Sequence, residues 1–126
     1  MRLEDYFQNG KFYIWKETFA IVKSEKLLPD AFAVIKDKNE ITVIIEQSKI
    51  KSNRNIVKID KYWKIITFDM VLPFGLVGFL AKISKTLADE NISIFVISAF
   101  STDHILVKEK NLKKAISKLK NLGLKN

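Results

Sequence analysis

In the second half of the chain the apolar residues switch between strand-like and helix-like spacing, and this switch restricts the fold more than any other feature. Residues 62–68 are rich in aromatic and β-branched residues, which predicts a strand. An apolar stripe with helical spacing i, i+3, i+4, i+7 and i+11 follows and predicts an amphipathic helix. The stripe consists of Leu76, Phe79, Leu80, Ile83 and Leu87. Asn91 tolerates the left-handed conformation that ends many helices, so we expect the helix to stop there.

The remaining segments complete a β-α-β-β-α order. Residues 92–100 are apolar at nearly every position, which predicts a central strand covered on both faces. Residues 104–108 predict the next strand, and Asn111 and Gly123 suit the N-cap and the C-terminal stop of a second helix. Its predicted buried stripe consists of Leu112, Ala115, Ile116 and Leu119. A short final strand at residues 124–125 is left open. The class is therefore α+β, with the ferredoxin-like βαββαβ arrangement.

The first half of the chain is rich in strand-like segments. We predict short strands at residues 11–15, 18–23, 31–36 and 41–47, and a polar loop at residues 49–55. No segment here shows a sustained helical period. We therefore expect two domains, a reduced β-rich module at residues 1–60 and a well-formed module at residues 61–126. The first module, or a second subunit, would cover the sheet face that the two helices leave open.

Residue composition excludes several kinds of chemistry. The chain has no cysteine and one histidine, His104, so it has no thiol nucleophile, no cysteine-ligated metal and no multi-histidine site. The acidic residues are dispersed and no pair has a spacing typical of acid–base catalysis. There is no glycine-rich dinucleotide or P-loop motif. We therefore expect a protein that is not an enzyme and that has no cofactor and no metal.

The charge pattern bears on partners and location. The formal net charge is +8, which allows an anionic partner. The alternative function is a basic ferredoxin-like module that binds nucleic acid or serves only in protein assembly. The cations are scattered lysines, with arginine only at Arg2 and Arg54, whereas base-specific readers favour arginine. No apolar run approaches the roughly 18 residues of a membrane span, and the first residues do not resemble a signal peptide. We expect a cytoplasmic protein without a membrane partner.

Two features could bind a ligand. The turn at residues 73–78 leads from a strand into a helix, contains two glycines, and precedes helical amides that attract anions. Asp103 lies at the start of a strand, where a carboxylate can bind an ammonium group. Each feature also has a structural interpretation, a plain turn with a packing glycine and an Asx turn respectively. Together in one pocket, they would match the two charges of an α-amino acid.

Three segments of the second half resemble ACT domains. They are residues 74–81 (FGLVGFLA), 87–98 (LADENISIFVIS) and 102–107 (TDHILV). The resemblance covers residues 62–123 and is closest to small tandem-ACT proteins related to the ACT modules of aspartate kinase and of CASTOR-type sensors. The first half resembles the reduced N-terminal module of these proteins more weakly. Asn91 stands where the family usually has glycine.

The resemblance implies a regulatory protein that binds a small ligand, usually an amino acid, at an interface between ACT modules. Turn amides would hold the ligand carboxylate, Asp103 its amino group, and the residues before Asp103 its side chain. The resemblance further implies a homodimer, and the response would pass to a regulated partner protein or through assembly. The implied ligand-binding residues are Phe74, Gly75, Leu76, Val77, Gly78, Phe100, Ser101, Thr102 and Asp103.

Overall fold

The computed structural model describes residues 1–50 and 55–126. Its contacts divide the chain into a larger unit, Met1–Trp15 with Lys64–Asn126, and a smaller unit, Lys16–Trp63. In chain order the helices and strands are α1 (Leu3–Asn9), β1 (Phe12–Ile14), β2 (Phe19–Ser24), β3 (Ala33–Lys36), β4 (Ile41–Glu46), β5 (Ile56–Phe68), α2 (Phe79–Ala88), β6 (Ile94–Ser98), β7 (Asp103–Lys108) and α3 (Leu112–Asn121). The predicted α+β class is confirmed.

The larger unit has the predicted ferredoxin-like order from β5 to α3, and its remaining strand comes from the start of the chain. β7 lies between β5 and β6, and β1 pairs antiparallel with the end of β5, from Phe12 opposite Phe68 to Ile14 opposite Ile66. The final strand left open at residues 124–125 is reduced to one bridge between Lys11 and Lys125. Residues 1–15 therefore belong to the larger unit by contact. The division into modules at residues 1–60 and 61–126 stays a prediction.

The core of the larger unit lies between its sheet and its helices. The predicted stripe of α2 buries Phe79, Ile83 and Leu87, and α3 buries Ala115 and Leu119. These side chains pack with apolar residues of β1, β5 and β7. The apolar spacing therefore identified the buried face of both helices correctly.

Helix α1 was not predicted from the sequence, because no segment of the first half shows a sustained helical period. Its seven residues form fewer than two full turns, too few to be stable alone or to show a period. Phe7 is its one buried residue and stacks on Phe79 with ring centroids 5.0 Å apart. Asp5 accepts a hydrogen bond from the backbone N–H of Arg2 at 2.9 Å, which satisfies a donor at the helix start. Packing against α2 thus stabilises a helix that local sequence does not specify.

The smaller unit is an antiparallel sheet in which β2 pairs with both β4 and β5. Its order is β3, β4, β2 and the first part of β5, and the apolar side chains of Ala20, Val22, Leu28, Val43 and Ile45 form its core. The hairpin between β3 and β4 turns at residues 37–40 as predicted, and the Asp37 carboxylate accepts the N–H groups of Asn39 and Glu40. Of the predicted loop at residues 49–55, residues 51–54 lie outside the described part of the chain.

Three boundaries differ from the sequence prediction. β5 begins at Ile56 rather than at residue 62, and its first part is mostly exposed although it contains Ile56, Val57 and Ile59. α2 begins at Phe79, and Leu76 belongs to the preceding turn. β6 covers Ile94–Ser98 and is an edge strand beside β7, so its apolar residues are only partly buried. Among the described residues, no helix is long and apolar enough to span a membrane.

Candidate ligand pocket

The chain between β5 and α2 makes a tight turn that ends at a left-handed glycine. The N–H of Leu76 donates to the carbonyl of Pro73 at 3.0 Å. Gly78 is the N-cap of α2 with φ 96°, a conformation that costs an L-residue energy and glycine nothing. The carbonyl of Gly78 then accepts the N–H of Lys82 at 3.0 Å, which is the first helical hydrogen bond. The amides of residues 79–81 are therefore left at the open end of the helix.

The hairpin loop between β6 and β7 is held against this turn. The N–H of Ala99 donates to the carbonyl of Thr102 at 2.9 Å and closes the loop. The Thr102 hydroxyl donates to the carbonyl of Phe68 at 2.6 Å, and the N–H of Leu72 donates to the carbonyl of Ser101 at 2.6 Å. These two bonds join segments about thirty residues apart in the chain, so they fix the loop relative to the turn.

A pocket of about 400 Å³ lies between the turn, the start of α2 and the hairpin loop. Six of the predicted ligand residues line it, namely Phe74, Leu76, Gly78, Phe100, Thr102 and Asp103. The predicted residues Gly75, Val77 and Ser101 are outside the lining and exposed. The first residues of α2 and Asp103 thus line one pocket.

The lining also includes residues that sequence reasoning missed, namely Leu72, Pro73, Phe79, Leu80, Ala81, Ser98 and Ala99. Ser98 is the strand partner of Asp103, so it could have been inferred once the hairpin register was known. Leu80 and Ala81 are in the first turn of α2, and their role follows from the helix starting at Phe79. The sequence pattern placed that start too early and therefore gave no signal for them.

The pocket lining includes both polar and aromatic groups. The helix end carries partial positive charge and suits an anion, whereas the half-buried Asp103 suits a cation. Phe74 and Phe100 meet edge to face with ring centroids 4.8 Å apart, and they are 78% and 81% exposed. An exposed aromatic pair beside a pocket is a surface that a ligand can cover.

His104 follows Asp103 but belongs to a different hydrogen-bond network. Thr67 Oγ1 accepts the indole N–H of Trp15 at 2.8 Å and lies 2.8 Å from His104 Nδ1. Desolvation lowers the pKa of His104 below its ordinary value of 6.5, and the negative charge of Asp103 offsets part of this effect. This arrangement fits a neutral imidazole whose Nδ1 accepts the Thr67 hydroxyl proton.

The described residues contain no group of three or more histidine, aspartate or glutamate side chains close enough to hold a metal ion. Asp103 is the one ionisable residue that lines the pocket, within the part of the chain that the structure describes. The described lining of the pocket thus offers one carboxylate and mainly apolar side chains.

Comparison with known proteins identifies the family. The model of the ACT domain family matches residues 58–121, so the chain belongs to the ACT domain family. The human protein CASTOR3P is 25% identical in an alignment over 91 residues, and the match covers 64% of this chain and 56% of that protein. The chain thus spans little more than half the length of that relative.

Solved structures share the fold. Protein Atu0741 from Agobacterium tumefaciens has a TM-score of 0.79 at 24% identity, over 92% of this chain and 90% of that chain. The regulatory subunit of aspartate kinase from Thermus thermophilus has a TM-score of 0.65 at 7% identity, over 90% of this chain and 95% of that chain. At these identities the likeness shows the fold. The chain therefore shares the fold of these two proteins.

Proposed function

We propose that this chain is a non-catalytic, cytoplasmic regulatory protein that binds an amino acid in the pocket between the turn and the hairpin loop. One observation carries the proposal. The same pocket of about 400 Å³ is lined by Asp103 and by residues 79–81, whose amides begin α2. These two groups complement the carboxylate and the ammonium of a free amino acid.

The ligand would act by joining the turn to the hairpin loop. Its carboxylate would accept hydrogen bonds from the amides of residues 79–81, and its ammonium would donate to Asp103. A bound ligand shifts a conformational equilibrium by its difference in affinity for the two states. The signal would then pass to a second copy of the chain in a homodimer, or to a partner protein. The aspartate kinase regulatory subunit with the same fold supports such a role.

Two observations support a role without catalysis. His104 Nδ1 is 2.8 Å from the Thr67 hydroxyl, and burial disfavours the protonated imidazole that an acid catalyst would need. Asp103 lines the pocket without a second ionisable residue beside it among the described lining residues. General acid–base catalysis commonly uses a paired acid and base at the reacting group.

The test is thermal unfolding of the protein against the common amino acids. A ligand at 100 times its dissociation constant adds about 2.7 kcal/mol to the free energy of unfolding, which raises the midpoint by several degrees. Asp103→Asn should lower the affinity about tenfold or more, because it removes the charge that binds the ammonium. Asp89→Asn is the matched control, since Asp89 is exposed at the other end of α2 and pairs with Lys85.

A selective rise that is lost in Asp103→Asn and kept in Asp89→Asn would support the proposal. No rise with any amino acid at millimolar concentration would contradict it. In that case the alternative is binding of nucleic acid by the net charge of +8. Its sign would be RNA or DNA binding that weakens steeply as salt rises.

A further inference from the structure

We propose that the pocket selects amino acids with an apolar side chain, of leucine or phenylalanine size, over amino acids with a charged side chain. The inference rests on the proposed function and specifies the ligand class of the same pocket. It follows from the groups in the lining that remain for the ligand side chain once the α-carboxylate and the α-ammonium of the ligand are bound.

Among the described lining residues, Asp103 is the one charged side chain, and the ligand ammonium occupies it. Its polar side chains are Ser98, Thr102 and Asp103, and the other lining residues are apolar or glycine. The Thr102 hydroxyl already donates to the carbonyl of Phe68 at 2.6 Å. Asp103 is assigned to the ligand ammonium. A charged ligand side chain would thus lose water without gaining an opposite charge, which is unfavourable.

The lining instead offers aromatic and aliphatic surface. Phe74 and Phe100 form an edge-to-face pair and are 78% and 81% exposed, so water covers most of both rings. Leu76 and Leu80 line the same pocket from the turn and from α2. An apolar ligand side chain against these groups would remove apolar area from water on both partners.

Charge and size exclude other ligand classes. A second carboxylate, as in aspartate or glutamate, would be repelled by the negative charge of Asp103. A side-chain ammonium, as in lysine, would compete with the ligand's own ammonium for the same carboxylate. The volume of about 400 Å³ is at the small end of the range for ligand pockets, which suits one amino acid.

Isothermal titration calorimetry with matched ligands tests the inference. Norleucine and lysine share a straight four-carbon chain and differ by the terminal ammonium, and leucine and asparagine are similar in shape but differ in polarity. We expect norleucine to bind at least tenfold more tightly than lysine, and leucine at least tenfold more tightly than asparagine.

Variants of Phe100 measure how much the aromatic pair contributes to binding and to ligand preference. Phe100→Ala should weaken leucine binding about three- to tenfold and leave asparagine binding nearly unchanged. Phe100→Arg should shift the preference toward glutamate, because it places a positive charge at the pocket. Both variants should fold, because Phe100 is 81% exposed. Leu27→Ala is the control, since Leu27 is 64% exposed and outside this pocket.

The outcomes distinguish this inference from the proposed function. Tighter binding of lysine or aspartate than of norleucine or leucine overturns the apolar preference and leaves an amino-acid regulatory protein. Equal affinities within each ligand pair overturn the preference in the same way. Absence of binding by every amino acid overturns both proposals. An apolar preference that Phe100→Ala reduces and Leu27→Ala retains supports the inference.

Discussion

At the scale of single residues, Gly75 and Gly78 lie three positions apart in one turn but differ in how strictly the backbone requires glycine. Gly78 has φ 96°, and a Cβ built there would lie 3.2 Å from Leu3 Cδ2. Gly75 has no neighbouring atom within 4 Å of such a Cβ. The sequence placed both in the candidate site, but only the structure shows which one needs to be glycine.

We predict that Gly78→Ala lowers the free energy of unfolding by about 1–2 kcal/mol, because the left-handed conformation strains a residue with a Cβ. Gly75→Ala is the matched control and should change it by less than about 0.5 kcal/mol. Urea unfolding measures both. Equal effects of the two variants would contradict a special backbone role for Gly78.

His104 makes stability depend on pH. The folded state lowers the pKa of this imidazole below 6.5, mainly by desolvation, so at mildly acidic pH the unfolded state binds more protons. The free energy of unfolding should therefore be highest above about pH 6.5 and should fall as the pH drops below it. His104 is the one histidine of the chain, and free carboxylates titrate mostly below this range.

Urea unfolding at pH 7.5 and pH 5.5 measures this effect. His104→Asn is the comparison, because its Oδ1 can accept the Thr67 hydroxyl but does not titrate. We expect the loss between the two pH values to be smaller in the variant. The same loss in both proteins would rule out His104 as its source.

At the scale of elements, α2 ends in a Schellman motif. Asn91 has φ 58°, its N–H donates to the carbonyl of Ala88, and the N–H of Ile92 donates to the carbonyl of Leu87. The left-handed stop expected at Asn91 from the sequence is therefore confirmed. After this stop the chain continues into β6, which forms a hairpin with β7, and Asp103 is the first residue of β7.

We predict that Asn91→Ala lowers the free energy of unfolding by about 1 kcal/mol, because alanine tolerates the left-handed conformation less well than asparagine does. Asn91→Gly should leave it unchanged or raise it slightly, because glycine adopts this conformation without strain. Thermal unfolding of the two variants is the measurement. A stable Asn91→Ala protein with an unchanged midpoint would contradict the role of this stop.

At the scale of the whole molecule, the first fifteen residues complete the larger unit. Phe7 and Phe12 are 6% and 2% exposed and belong to the core that α2 and α3 cover. β1 pairs with the end of β5, beside the turn that lines the pocket. A sequence boundary at residue 60 would separate these residues from their core.

We predict that a protein beginning at residue 61 does not unfold cooperatively, because it lacks β1, Phe7 and Phe12. In the full chain, Phe12→Ala should lower the free energy of unfolding by about 3–5 kcal/mol. Circular dichroism during heating measures both. A cooperative transition in the shortened protein would show that residues 61–126 form an independent domain.

The sequence by itself determined the features that depend on neighbouring residues. Spacing of three and four residues identified the buried faces of α2 and α3, and the stops at Asn91 and Gly123 were expected from their tolerance of positive φ. The order of strands and helices in the second half and its resemblance to ACT domains followed from the same local patterns.

Only the tertiary structure decided the features that depend on distant residues. β1 as the partner of β5, the stability of the short helix α1 and the edge position of β6 require contacts across the chain. The pocket requires them too, since the bonds from Thr102 to Phe68 and from Leu72 to Ser101 hold the hairpin loop at the turn. Local spacing carries no information about such contacts, because their energy arises only when remote segments pack together.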